Sequence, residues 1–208
     1  ILKPFSKFMI KAIEKIRSLP IAAICPGHGP ILRTHWKKYV DLSEKYAKEA
    51  LSLGEKPMVF IPYVSAYHNT SAVAEAIAKG VSEVPGVHVE IHDIENMSLE
   101  HMEYYLSNCT GLLIGSPTIN QNILMPVYQL FAAINPLRDK GKLASSFGSY
   151  GWSGEAEKML ESNITNLKLK YYGESLYIKF TPHEEGISKG IAFGKAFAGQ
   201  MLKELAAE

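Results

Sequence analysis

Six residues, Ser65-Ala66-Tyr67-His68-Asn69-Thr70, carry the clearest chemical signal in the sequence. The apolar run Met58 to Val64 before them reads as a buried parallel strand, and Ser71 to Val81 after them reads as a helix. A strand, a tight hydroxyl-rich turn and a helix start together make an anion site. The first N–H groups of a helix lack intrahelical partners, and its dipole favours negative charge there. The turn holds no lysine, unlike the phosphate loop of nucleotide hydrolases, and no G-x-G-x-x-G. Ser65, Tyr67, Asn69 and Thr70 offer neutral donors suited to one terminal monophosphate. By itself the turn is equally an ordinary helix cap.

Two further segments weigh against a lone cap. Gly111 to Ser116 reads as a second buried strand, followed by Pro117-Thr118-Ile119-Asn120-Gln121-Asn122 and a helix from near Ile123. Leu143 to Ser149 reads as a third, followed by Tyr150-Gly151-Trp152-Ser153-Gly154 and a helix from Glu155. The three loops fall at the carboxyl ends of strands, where open α/β sheets bind ligands.

In order, spacing and chemistry these loops resemble those of flavodoxin, over residues 57–208. The resemblance implies a doubly wound, five-stranded parallel sheet of order 2-1-3-4-5, for which flavodoxin is a standard example. It also implies FMN as cofactor. Ser65, Ala66, Tyr67, His68, Asn69 and Thr70 would then hold the phosphate. Pro117, Thr118, Ile119 and Asn120 would meet the ring edge. Ser149, Tyr150, Gly151, Trp152, Ser153 and Gly154 would form the other wall, with Trp152 nearest the ring. The plainer role for Trp152 is a packed core or interface tryptophan.

Residues 1–56 are a different object. Phe5, Phe8, Met9, Ala12, Ile13 and Ile16 recur at helical spacing with lysines between them, which predicts an amphipathic helix ending at Leu19-Pro20. Ile21 to Cys25 reads as a short buried strand leading into Pro26-Gly27-His28-Gly29-Pro30. Trp36 to Leu53 reads as a long helix closed by Gly54. One helix, one strand and a linking helix do not make a domain. With Ile1 in first position, the segment reads as the tail of a larger one.

The Pro-Gly-His-Gly-Pro turn resembles the end of the metallo-β-lactamase-like domain of flavodiiron proteins, in which a flavodoxin domain follows directly. Through it the resemblance extends over the whole chain and implies His28 as an iron ligand. It further implies an oxidoreductase reducing dioxygen to water or nitric oxide to nitrous oxide, a homodimer, and rubredoxin or another reduced protein as electron donor. The family's His-x-Glu-x-Asp run has no counterpart here. His68, His88, His92, His101 and His183 are dispersed, so one metal ligand is expected of this chain and no diiron centre.

Composition narrows the rest. The 208 residues, 47% hydrophobic and 21% charged, are ordinary for a globular protein. No apolar run approaches the roughly 20 residues that cross a bilayer, and Lys7, Lys11, Glu14, Lys15 and Arg17 break up any signal-peptide core. Cys25 and Cys109, the only cysteines, read as buried inert thiols in a reducing cytoplasm. Net charge splits into +6 over residues 1–56 and −5 over 57–208, within the range of a mixed-charge surface. Basic residues lie on helices without aromatic interleaving, which argues against a nucleic-acid footprint. Two other readings stay open for 57–208: a free-standing NAD(P)H-dependent quinone reductase, or a flavodoxin-like binding module with an empty site.

Overall fold

A computed structural model describes residues 5–51 and 56–207. The chain divides into two compact units, 1–53 and 54–208.

In the first unit, α1 (Ser6–Ile16) packs on α2 (Trp36–Leu51). Ile13 is the buried anchor of α1, and Ala47 that of α2. Phe5, Phe8 and Met9 remain exposed. Arg17, just past α1, pairs with Glu44 on α2. The predicted buried strand at Ile21–Cys25 does not form. Only Ile24 bridges, antiparallel to Leu32, through two bonds of 2.9 Å. Ala22, Ala23 and Cys25 are exposed, so the expectation of a buried Cys25 thiol is corrected as well. The run is apolar in composition, but no second strand covers it among the described residues. The expected cap at Gly54 and the last residues of the linking helix lie outside the described residues.

The second unit is an α/β sandwich. In chain order it runs β1 (Met58–Tyr63), α3 (Asn69–Ser82), β2 (His88–Asp93), α4 (Leu99–Asn108), β3 (Gly111–Gly115), α5 (Met125–Ala133), α6 (Pro136–Asp139), β4 (Leu143–Tyr150), α7 (Glu155–Asn166), β5 (Lys170–Tyr171), β6 (Leu176–Lys179) and α8 (Glu184–Ala207). The sheet is parallel with order β2-β1-β3-β4-β5, and β6 also pairs with β4. The fifth position is thus occupied twice, where one strand was expected. β5 pairs with Leu143 and Ala144, while β6 pairs with Phe147 to Tyr150. Between them the chain leaves the ladder at Gly173, which takes φ +93°, and Ser145 Oγ donates to the carbonyl of Glu174 there. The second register gap is at Pro62, which has no N–H to give; the β1–β3 pairing skips Ile61 and Pro62.

Alternation along the strands builds two cores. Phe60, Leu112, Ile114 and Ala144 face α4, α5 and α7. Val59, Ile61, Leu113, Leu143 and Phe147 face α3 and α8. Cys109 is buried in the first core, as expected, and burial pushes its thiol pKa up. On the edge strand β2, His88 and His92 place Nε2 at 2.8 and 3.0 Å from the two carboxylate oxygens of Glu90. Burial opposes ionisation of Glu90, but the two imidazoles hold its pKa below the usual value. No helix of the described residues is long and apolar enough to cross a membrane.

The contact that sets α3 is its packing against α8. A Cβ at Gly194 would lie 2.1 Å from the carbonyl oxygen of Ile77, and one at Gly80 would lie 2.0 Å from that of Ile191. Here helix backbones touch directly. Gly199, in the same helix α8, has nothing within 4 Å of its would-be Cβ. Gly194→Ala should therefore destabilise by at least the ~1–3 kcal/mol typical of overpacking. Gly199→Ala should stabilise by about 0.5–1 kcal/mol through helix propensity alone. Urea unfolding midpoints moving in opposite directions are the expected result; equal losses at both positions would refute the close-contact account.

Candidate functional site

The carboxyl ends of β1, β3 and β4 lie at one edge of the sheet, and their loops enclose a cleft of about 600 Å³. That volume falls in the range of small-molecule sites. The cleft is lined by Tyr67 and Asn69 from the first loop, by Pro117 to Gln121 from the second, and by Ser149 to Ser153 from the third. Phe180 completes it.

The first loop reverses the chain at His68, which takes φ +60° just before α3 and makes no side-chain cap. Ser65 Oγ accepts the N–H of Ser71 at 3.2 Å, and Ser71 Oγ donates to the His68 carbonyl at 2.8 Å. Among the described residues, no protein group accepts the N–H groups of Ala66, Tyr67, His68, Asn69 or Thr70. A run of free donors at the positive end of a helix dipole fits an anion. Ser65 is therefore a brace for the turn. Thr70 is 1% exposed, and its hydroxyl lies 2.9 Å from Ser149 Oγ. That bond ties the first loop to the end of β4. Ala66 and His68 are exposed on the turn outside the cleft wall.

The second loop is a two-residue hairpin. Ile119 and Asn122 exchange two backbone bonds of 3.0 Å, and Asn120 and Gln121 between them have φ +52° and +58°. Positive φ at both central residues defines a type I′ turn. Because of it, α5 starts at Met125 and not near Ile123, with Pro126 in its first turn. Ser116, fully buried, accepts the N–H of Leu124 at 3.2 Å. Thr118 donates its N–H to the Ser149 carbonyl at 2.9 Å, and its hydroxyl accepts from Ala156 N at 3.3 Å.

The third loop leaves Trp152 94% exposed, so the packed-core alternative for this residue does not hold. Its ring meets Phe180 edge to face, centroids 6.2 Å apart at 79°. Gly154 caps α7 and lines an adjacent polar hollow that shares Tyr150, Trp152 and Ser153 with the cleft. In that hollow one Glu155 oxygen is buried without a partner among the described residues, and the Tyr177 hydroxyl is buried as well. Burial holds the Tyr177 phenol far above its ordinary pKa.

Phe180 was missed by the sequence reading, as was Gln121. Phe180 follows β6, whose alternation Leu176-Tyr177-Ile178 marks one more parallel strand with a loop at the same edge. Its N–H bonds the Tyr150 carbonyl at 2.7 Å, and it too has φ +60°. In the other unit, His28 is exposed on the turn closed by the Ile24–Leu32 bridge, next to Gly29 at φ +112°. Among the described residues no group of three or more His, Cys, Asp or Glu is arranged to hold a metal ion.

Comparison with known proteins agrees with this geometry. The flavodoxin family model matches residues 61–194. The type A flavoprotein fprA of Rhodobacter capsulatus is 34% identical over 203 residues, 97% of this chain and 47% of the relative. The flavo-diiron protein FprA2 of Clostridium acetobutylicum is 34% identical over 207 residues, 95% of this chain and 50% of the relative. Among solved structures, the rubredoxin oxygen:oxidoreductase of the anaerobe Desulfovibrio gigas superposes with a TM-score of 0.77 at 27% identity, covering 99% of this chain and 51% of that one. The chain spans about half the length of the curated relatives it matches. It belongs to the flavodoxin family, and along nearly its whole length it is a relative of the flavodiiron, or type A, flavoproteins.

Proposed function

We propose that residues 57–208 bind one FMN in the three-loop cleft and serve as the electron-transfer domain of a flavodiiron oxidoreductase. The observation that carries the reading is the match of donors to ligand. Five free N–H groups and neutral side chains, with no lysine, lie on the turn that brings Tyr67 and Asn69 to the cleft, and Tyr150, Trp152 and Phe180 line it as an aromatic wall. A monophosphate fits the first, and a planar ring system fits the second.

In this reading the N–H groups from Ala66 to Thr70, with the Ser65, Tyr67, Asn69 and Thr70 side chains around them, hold the phosphate. Tyr150 and Trp152 cover one side of the ring and exclude water from it, and Phe180 supports Trp152. Pro117, Thr118, Ile119 and Asn120 present backbone groups to the ring edge. Bound FMN supplies the capacity to take up and release electrons, which the protein tunes by orientation and hydrogen bonding.

Residues 1–56 are, on the same proposal, the end of a metallo-β-lactamase-like domain, and His28 is one ligand of a diiron centre completed by the longer protein. An exposed imidazole on a rigid Gly/Pro turn is suited to that role. The longer protein would act in the cytoplasm as a homodimer, reducing dioxygen to water, nitric oxide to nitrous oxide, or both. Rubredoxin or another reduced protein would donate the electrons.

Cofactor released by heat and identified by mass should be FMN, one per chain. Recovery of FAD, or no binding after reconstitution with FMN, would overturn the reading. Rapid reduction by NADH with no protein donor would favour the quinone reductase instead. Thr70→Ala removes the bond to Ser149 and strands that buried hydroxyl, so FMN affinity should fall by about 1–3 kcal/mol. Titration of the apoprotein measures it, and an unchanged affinity removes Thr70 from the site. Flavin binding should also quench tryptophan fluorescence. Trp152→Ala should abolish most of that quenching, since Trp36 is the only other tryptophan. Quenching that survives the substitution places the ring elsewhere.

A further inference from the structure

The Asn120–Gln121 turn adopts a conformation its sequence does not favour. Asparagine tolerates the left-handed region, but glutamine pays a steric cost there, because its Cβ crowds the following carbonyl oxygen. Such residues persist where surrounding contacts over-determine them. The hairpin's own two backbone bonds are too few to hold it, since even longer isolated hairpins are marginal in water.

The Thr118–Ser149 and Leu124–Ser116 bonds tether the two ends of the loop, and a further restraint, at the base of the hairpin itself, is the side chain of Asn122. Its Oδ1 accepts the N–H of Ile123 at 2.8 Å and the hydroxyl of Tyr128 at 2.7 Å. Tyr128 lies in the first turn of α5, a helix fixed in the core by Val127, Leu130 and Phe131. The bond therefore links the base of the hairpin to a rigid element. Ile119, Asn120 and Gln121 form one wall of the cleft, whereas Tyr128 does not line it.

From this geometry we infer that Tyr128 is a positioning residue for the cofactor: through Asn122 it holds the Asn120–Gln121 turn at the edge of the bound isoalloxazine. The inference rests on the FMN reading above. Tyr128→Phe deletes one partly exposed hydroxyl and leaves Asn122 Oδ1 bonded to Ile123, so no buried group is orphaned.

Amide hydrogen exchange on the apoprotein tests the strut without any cofactor. In Tyr128→Phe the Ile119 and Asn122 N–H groups should exchange several-fold faster, while those of α5 keep their protection. In the FMN-loaded protein the same variant should bind FMN about fivefold more weakly, the loss expected for one ordinary hydrogen bond. It should also alter the visible circular dichroism of the flavin. Glycine adopts positive φ without steric cost, so in a Gln121→Gly background the turn should need the strut less. Adding Tyr128→Phe there should change affinity by much less than fivefold. Unchanged exchange in Tyr128→Phe overturns the strut. Faster exchange with wild-type affinity and dichroism overturns the positioning role, as does an undiminished fivefold loss in the glycine background. A wild-type protein that takes up no FMN overturns the flavin reading, and the exchange comparison still decides the strut.

Discussion

Ser149 is the residue on which the three-loop arrangement depends. Its hydroxyl meets Thr70 at the start of α3, and its carbonyl accepts the N–H of Thr118 at the start of the hairpin loop. The chain after it becomes the third loop. One residue at the end of one strand thus fixes the spacing between a turn rich in free N–H groups, a hairpin and an aromatic wall. Both of its bonds are made in a region that water barely reaches, since Ser149 is 6% exposed and Thr70 is 1%. There an unmade partner costs more than the bond itself contributes. The small neighbours serve the same end: a Cβ at Gly148 would lie 2.0 Å from the Ser116 carbonyl, so only glycine lets β4 and the second loop approach this closely.

The bond at Ser149 has value only if α3 arrives in the right place. Its position is set from behind by α8, through the glycines that bring the two helix backbones into contact. The length of α8, 24 residues, gives that contact leverage along nearly the whole of α3. The free N–H groups at the head of α3 are thereby placed by packing along the length of the helix, in a core that includes Val73, Ile77, Val81 and Phe197. Core packing and the placement of the first cleft loop are one mechanical problem here, solved by the same helix.

Much of this was legible in the sequence because a parallel strand announces both its burial and its direction. Val59 to Ile61, Leu112 to Ile114 and Leu143 to Phe147 are apolar or small throughout, and each is followed by a polar turn and a helix. The loops must then share an edge. Phe180 escaped because its strand is four residues long and only half-buried, without the continuous apolar run that marked the others. Ile21 to Cys25 misled for the opposite reason. An apolar run carries no information on whether anything covers it, and here, among the described residues, only Ile24 forms a bridge to another segment. Cys25 was misjudged with it.

Backbone conformation was the least legible property, and it is concentrated at the site. His68, Asn120, Gln121 and Phe180 all take positive φ, each in or beside a cleft loop. Of these asparagine and histidine are enriched in that region, and nothing in glutamine or phenylalanine asks for it. The conformations are held by contacts both local and tertiary: Ser71 on His68, the hairpin bonds and Tyr128 on the second loop, Tyr150 on Phe180. A sheet with two well-filled cores can sustain that local cost, because each strained residue is anchored to a strand end or helix that would lose far more by moving. On the FMN reading these loop conformations come from the protein's own contacts, so binding would not have to supply the energy to shape them.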